Sequence, residues 1–140
     1  MINFVMPIVV VGRLRVRSPE FMPLFGMHAL QSYEQAKTAE GCLATNVFED
    51  QNLTFWNCTM WESEAALINF MRFGAHGKAM PDLATTCSEA VTVRWEQATA
   101  TLPTWLEAHQ KIVQFGRASK LNFPSPAQET RDFPLPVAVS

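Results

Sequence analysis

Three residues of this chain are of types, and at spacings, that could support acid–base chemistry on a small molecule. His76 follows Gly74 between two apolar segments, and a neutral imidazole can act as a general base or as a ligand of haem iron. Asn57 and Trp61 share one face of a β-rich run, so an amide and an aromatic wall can meet one ligand. We therefore predict His76, Asn57 and Trp61 as catalytic residues. The structural alternatives are a helix cap for His76 and an interface core for Trp61.

A second set of side chains is predicted to bind the substrate. Arg13 and Arg15 lie on one face of the first predicted strand. If that face lines a pocket, they can hold a carboxylate or a haem propionate. If it lies at the pocket mouth, they pair instead with Glu49 or Glu96. The remaining predicted substrate-binding residues are Phe55, His28 and Trp95.

Other kinds of chemistry have little support. Cys42, Cys58 and Cys87 are an odd number with no C-x-x-C spacing, so neither a disulfide framework nor a zinc site is expected, and we predict no metal. The chain has no G-x-S-x-G, phosphate loop, H-E-x-x-H or dinucleotide motif.

The elements that must position these residues follow from the hydrophobic pattern. Alternating and β-branched runs predict strands over 8–17, 42–49, 53–61 and 90–97, the middle two forming a hairpin. Apolar residues at helical spacing predict helices over 18–41, 63–73 and 103–115, with a further short helix over 78–88. His76 is placed just past the end of the second helix.

This order of elements, β-α-β-β-α-β, is that of the ferredoxin-like α+β fold. It predicts a four-stranded antiparallel sheet with both helices on one face, followed by a C-terminal helix. Residues 1–121 form a single domain in this prediction. Residues 122–140 form a proline-rich tail, extended or disordered.

The composition indicates what covers the other face of the sheet. Charged residues make up 17 % of the 140 residues, against about 25 % in an average soluble chain, although the chain holds ten Phe, four Trp and seven Met. We assign the face of Phe55, Asn57, Thr59 and Trp61 to the side without helices. Packing two such faces together predicts a homodimer that closes an α/β barrel around a lined pocket.

Charge and hydropathy exclude some partners. A net charge of -2 without a basic run argues against nucleic acid, because that affinity depends on neutralising phosphates. The apolar N-terminal stretch is too short to be a signal peptide core or to span a membrane. A cytoplasmic protein is expected.

The segment 57–80, NCTMWESEAALINFMRFGAHGKAM, carries a resemblance. Its Trp-Glu-Ser-Glu-Ala at the end of a strand, its apolar helix and the following His are similar to the dimeric α/β barrel superfamily that includes the antibiotic biosynthesis monooxygenases. The likeness covers residues 8–97, and its Gly-Ala-His-x-x-x-Met stretch looks most like proteins near spheroidene monooxygenase. In such families an Asn and a Trp of the pocket and a His of the second helix carry the site. Asn57, Trp61 and His76 match these types, although here His76 follows Gly74.

What the resemblance implies is a monooxygenase-like protein that acts without a cofactor on a small apolar substrate, aromatic or isoprenoid-like. His76, or a water polarised by arginine, would remove a substrate proton, and the carbanion would then pass an electron to oxygen. One alternative is a haem-binding oxygenase or dehydratase that uses His76. Another is a dimer that binds a ligand or responds to stress without catalysis, since the fold by itself does not fix the function.

Overall fold

The computed structural model describes residues 6–139. Its strands are β1 (Ile8–Val16), β2 (Cys42–Asp50), β3 (Thr54–Trp61), β4 (Cys87–Glu96) and the two-residue β5 (Arg117–Ala118). Its helices are α1 (Met22–Thr38), α2 (Glu64–Arg72), α3 (Gly74–Thr86), α4 (Trp105–Phe115) and α5 (Pro126–Thr130), and a 3-10 turn (Pro19–Phe21) precedes α1.

The strands form one antiparallel sheet in the order β2-β3-β1-β4-β5. The predicted ferredoxin-like α+β fold is confirmed, and β5 adds a short fifth strand beside β4. In the register of the central pair, Gly12 of β1 lies opposite Asn57 of β3. The two edges of the sheet differ, because β2 pairs along its length only with β3, whereas β4 also pairs with β5.

The helices α1, α2 and α3 pack on one face of the sheet. Ser63 caps α2 by accepting a hydrogen bond from the backbone N–H of Ala66 at 3.1 Å. Gly74 has a φ of +71°, a conformation that glycine adopts without strain, and it lets the chain begin α3 directly after α2. His76 therefore lies past the end of α2, as predicted, but within the first turn of α3, which begins at Gly74 and not at the predicted residue 78.

The opposite face of the sheet is covered by the chain's own C-terminal part. Helix α4 begins with a capping box, in which Thr104 and Glu107 bond each other's backbone N–H groups. Ala108 and Ile112 of α4 pack on this face together with Phe133 of the tail. The sheet residues that they cover include Val9, Val11, Trp56, Cys58, Met60, Val91 and Val93.

The predicted assignment of the two faces of β3 is wrong. Phe55 and Trp61 pack with residues of α1 and α2, while the intervening Trp56, Cys58 and Met60 face α4. The physical reason is that both faces of this strand carry large apolar groups, so alternation separates the faces without saying which one the helices cover.

The tail contains the short helix α5 and is docked on the domain. Asp50 accepts hydrogen bonds from the backbone N–H of Val137 at 2.9 Å and from Trp56 Nε1 at 2.9 Å. Ala138 forms a bridge with Asp50, and its carbonyl accepts a hydrogen bond from Gln51. None of the helices over residues 6–139 has the length and apolar content needed to cross a membrane.

Candidate functional site

Asn57 offers an uncommitted amide on the helix-covered face of the sheet. Its side chain is half-buried, and no hydrogen bond to it is found among the described residues. The amide lies across Gly12 of β1, where an added Cβ would stand 2.8 Å from Asn57 Nδ2. A side chain at position 12 would therefore displace the amide. The Asn57 amide can occupy this position because Gly12 has no Cβ.

His28 and Asp82 form a hydrogen-bonded pair between α1 and α3. His28 Nε2 lies 2.7 Å from Asp82 Oδ2. A carboxylate only accepts hydrogen bonds, so Nε2 carries a proton and Nδ1 is the nitrogen left for another partner. His28 Nδ1 is buried and has no partner among the described residues. An imidazole oriented by a carboxylate, with its other nitrogen available, has the arrangement of a general base.

The course of α1 brings His28 to the same level of the domain as Asn57. Near its start, Phe25 stacks on Phe55 of β3, with ring centroids 5.2 Å apart. Near its end, Ala36 packs with Trp61 at the other end of β3. His28 lies one turn after Phe25, and Asn57 lies two residues after Phe55 in the direction of Trp61. The base and the amide therefore belong to the same part of the helix–sheet interface.

Trp61 and His76 are joined by a stack of rings. The ring centroids of Trp61 and Phe70 are 4.9 Å apart, and those of Phe70 and His76 are 4.6 Å apart. Trp61 has 0 % exposed surface, and its Nε1 donates to Thr59 Oγ1 at 2.8 Å. Trp61 is therefore an internal support of the helix face in this conformation, and Phe70 separates it from His76.

His76 is held by backbone and side-chain contacts at the start of α3. Its backbone N–H donates to Gln35 Oε1 at 2.8 Å, and its Nδ1 lies 3.3 Å from the carbonyl oxygen of Met71. Burial lowers the pKa of the imidazole, and the contact with Met71 opposes this only in part. The neutral ring with Nδ1–H on the carbonyl leaves Nε2 as its free nitrogen.

The predicted arginines lie on the other side of the sheet. Arg13 Nη1 donates to Glu89 Oε1 at 2.6 Å, and Arg15 Nη1 donates to Glu89 Oε2 at 3.2 Å. Their partner is thus Glu89 of β4, and neither of the predicted partners is used. Burial alone would raise the pKa of Glu89, but Arg13, Ser125 and Arg15 lower it below its usual value.

Two further predicted binding residues are also remote from His76. Trp95 packs with the α4 side of the sheet, and Lys111 Nζ lies 5.1 Å from the centre of its ring. Phe55 lies against Phe25 at the far end of the helix face. Of the eight predicted site residues, the structure brings Asn57 and His28 to one level of the helix face and Trp61 and His76 into one ring stack.

Two cavities are described, and neither is lined by these four residues. One, of about 390 Å³, opens beside Pro7, Leu43, Glu62 and Ser63. The other, of about 360 Å³, lies between the tail and the sheet near Arg13 and Arg15.

The structure offers no metal cluster and no reactive thiol over residues 6–139. No group of three or more His, Cys, Asp or Glu side chains there could hold a metal ion. Burial raises the pKa of Cys58 to about 12 and that of Cys87 to about 11. Both are therefore protonated thiols at neutral pH, which are poor nucleophiles.

Sequence reasoning missed Gly12 and Asp82. Gly12 interrupts a run of β-branched residues, and a glycine inside a strand signals the close approach of another group. Asp82 carries no such signal, because its partner His28 is distant along the chain and the two meet only when α1 and α3 pack together.

Comparisons with known proteins agree with the fold. The family model described as antibiotic biosynthesis monooxygenase matches residues 7–82, more than half of the chain. No curated protein matches this chain. The specific likeness to proteins near spheroidene monooxygenase stays a prediction.

Solved structures with the same fold are distant in sequence. A conserved protein from Methanosarcina mazei Go1 is 20 % identical with a TM-score of 0.58, covering 66 % of this chain and 94 % of its own. A protein from Pseudomonas aeruginosa is 11 % identical with a TM-score of 0.60, covering 69 % and 100 %. An antibiotic biosynthesis monooxygenase is 18 % identical with a TM-score of 0.58, covering 66 % and 99 %. In each comparison about a third of this chain lies outside the match.

Proposed function

Because the chain belongs to the antibiotic biosynthesis monooxygenase family, we propose that it oxygenates a small apolar substrate, aromatic or isoprenoid-like, without a cofactor. The reaction takes place between the helices and the sheet. The observation that carries this proposal is the pair of His28 and Asp82, whose buried Nδ1 has no partner. Asn57, uncommitted on the sheet at the same level, supplies the second polar group.

His28 begins the reaction as the general base. The substrate is either a phenol or a carbonyl compound with an acidic C–H bond beside the carbonyl. It releases a proton to His28 Nδ1, while Asp82 stabilises the imidazolium that forms. The negative charge of the substrate anion rests on oxygen, and the Asn57 amide N–H groups stabilise it. This assignment replaces His76, the base predicted from the sequence, because Asp82 can stabilise a protonated His28, whereas burial disfavours the charged form of His76 and lowers its pKa.

Oxygen then reacts with the substrate anion. The anion passes one electron to O₂, and the resulting radical pair combines to a peroxide anion that takes up a proton. Loss of water from a peroxidised methylene leaves a carbonyl, so one CH₂ group and one O₂ give one C=O group and one H₂O. The surrounding apolar side chains exclude bulk water from these steps.

Substrate entry to this interface would require α1 to part from the sheet. Only Phe25 and Ala36 of its residues are buried. Leu24, Met27 and Leu30 are exposed along the same helix. Local opening of this kind would expose the space above Asn57.

Haem is a second candidate, and His76 is the residue that would hold its iron. The lowered pKa keeps the imidazole neutral near pH 7, and its Nε2 is free. Bound haem would supply oxygen activation. Phe70 covers one side of the ring, and neither described cavity reaches His76, so a haem site also needs the helices to part. A ligand-binding or stress-response protein without catalysis is the third reading.

An oxygen-consumption assay tests the proposal. The probe is an anthrone, a tricyclic aromatic ketone with an acidic methylene, and the product is the corresponding quinone. We expect His28→Gln to lower kcat by about 10²–10⁴-fold, since general-base catalysis contributes about that much. Asp82→Asn should lower it less. The matched control is His109→Gln, on the opposite side of the sheet, which should leave the rate unchanged.

The outcomes separate the three readings. A His28→Gln variant that turns over the anthrone at the wild-type rate contradicts the assignment of His28 as the base. A Soret band on titration with haemin, lost in His76→Ala, supports the haem reading instead. A protein that neither turns over the anthrone nor binds haemin favours the reading without catalysis.

A further inference from the structure

The cavity between the sheet and the C-terminal tail contains charged side chains that the proposed oxygenation does not use. Arg13, Arg15 and Glu89 line its sheet wall, and Phe133, Leu135 and Val137 line its tail wall. Its volume is about 360 Å³, within the range of sites that take small organic molecules. It lies on the face of the sheet opposite Asn57 and His28.

The acceptors on the cavity wall are already used. Glu89 Oε1 accepts from Arg13, and Oε2 accepts from Arg15 and from Ser125 Oγ at 2.7 Å. Both oxygens of Asp50 are also occupied, by Trp56 Nε1 and by backbone N–H groups. The buried carboxylates therefore have little capacity left for a further hydrogen-bond donor.

The guanidinium N–H donors on the same wall are only partly engaged in hydrogen bonds. Arg13 is only 2 % exposed, and its one recorded hydrogen bond uses Nη1. Its Nε is buried without a partner among the described residues. Arg15 likewise uses only Nη1, and its side chain is 43 % exposed. Two guanidinium groups share the buried Glu89 carboxylate, and this leaves several of their N–H groups without a partner among the described residues.

We infer that this cavity binds a small organic carboxylate, whose oxygens accept from the free N–H groups of Arg13 and Arg15. A carboxylate meets the planar donors of a guanidinium group in a matching geometry. The apolar body of the ligand packs against the tail wall. Asp50 and Asp132 also line the cavity, and their charges disfavour ligands with a second negative charge, so a monocarboxylate fits best.

The tail takes part in this site. The guanidinium carbon of Arg13 lies 4.0 Å from the centre of the Phe133 ring, so the tail residue stacks on the group that would hold the ligand. A ligand between these walls contacts both the sheet and the tail. Binding should therefore reduce local opening of the tail.

Calorimetric titration with benzoate, and with benzamide as the uncharged probe of the same shape, tests the inference. We expect saturable binding of benzoate and at least tenfold weaker binding of benzamide. Arg15→Gln should weaken benzoate binding about tenfold, the effect of losing a hydrogen bond to a charged group. Arg94→Gln, an exposed arginine outside the cavity, is the matched control and should bind benzoate as the wild type does.

Amide hydrogen exchange locates the bound molecule. Benzoate should slow exchange over residues 131–138 of the tail and leave α1 unaffected. Slowed exchange in α1 alone would place benzoate in the proposed oxygenation site and overturn this inference. Equal affinity for benzoate and benzamide, an unchanged affinity in folded Arg15→Gln, or no binding to the wild type would overturn it too. Failure of the anthrone assay has no bearing on it, since the two sites lie on opposite faces of the sheet.

Discussion

Arg13 and Glu89 place two opposite charges inside the protein, each with 3 % of its side chain exposed. Removing one member of such a pair leaves the other as a buried, uncompensated charge. We predict that Glu89→Ala lowers the free energy of unfolding by about 3–5 kcal/mol. Arg15→Ala, which removes the half-exposed partner, should cost no more than about 1 kcal/mol. Urea denaturation of the two variants measures both values, and equal losses would contradict the difference in burial.

His76 should make stability depend on pH near neutrality. Its pKa in the folded protein lies below the ordinary value of 6.5. As the pH falls below 6.5, His76 becomes protonated in the unfolded chain but stays neutral in the folded chain. The free energy of unfolding therefore decreases until the pH passes the folded pKa.

The variant His76→Gln isolates this effect. The decrease in stability from pH 7 to pH 5 should be smaller in His76→Gln than in the wild type, as measured by urea denaturation at each pH. Identical slopes for wild type and His76→Gln would show that burial does not disfavour the charged ring.

At the scale of single residues, sequence reasoning found the right kinds of side chain but not their partners. Asn57 was predicted from its strand and its residue type, and the structure gives it an uncommitted amide. The pairing of Arg13 with Glu89, and of His28 with Asp82, depends on which elements pack together. Such contacts leave no pattern along the chain, because each pair is separated by more than fifty residues.

At the scale of elements, periodicity predicted most boundaries well. The strand predicted over 53–61 is observed as Thr54–Trp61, and the helix predicted over 103–115 as Trp105–Phe115. The side of the sheet that each element covers was harder to predict. A strand with polar residues on one face reveals its orientation, but β3 is apolar on both faces.

Asp50 holds the tail in place, and its removal should release it. We predict that Asp50→Ala increases amide exchange over residues 133–138, because the backbone N–H of Val137 loses its acceptor. Stability should fall by about 1–3 kcal/mol, the cost of leaving buried donors unsatisfied. Glu49→Ala, at the exposed neighbouring position, is the control. Unchanged exchange in the tail of Asp50→Ala would show that other contacts hold it.

At the scale of the whole molecule, one chain covers both faces of its sheet, but other bulky apolar residues such as Phe73, Phe115 and Phe123 stay more than half exposed. The face of Phe55 and Trp61, which was predicted to form a dimer, is covered by α1 and α2, and the opposite face is covered by α4 and the tail. Homodimerisation stays a prediction, and its interface would have to lie elsewhere. The free edge of β2 is one such surface, since Leu43 and Val47 are about half exposed there.

Removing the C-terminal part should expose the covered face. We predict that a chain ending at residue 100 self-associates, because Val9, Val11, Trp56 and Met60 would face water. Light scattering after gel filtration would measure its mass, and circular dichroism would report whether the sheet persists. A chain ending at residue 125, which keeps α4, should associate less. A folded, monomeric 1–100 chain would contradict this view of the cover.

The order of the chain gives this cover a consequence for biosynthesis. The sheet strands β1 to β4 leave the ribosome before the residues that shield their outer face, since α4 and the tail follow β4 in sequence. At translation rates of about 5–20 residues per second, that face stays bare for on the order of a few seconds. During this interval the exposed face can associate with other nascent chains on the same mRNA, or a chaperone can bind it. Slower synthesis therefore exposes the outer face of the sheet for longer and favours misassembly through that face.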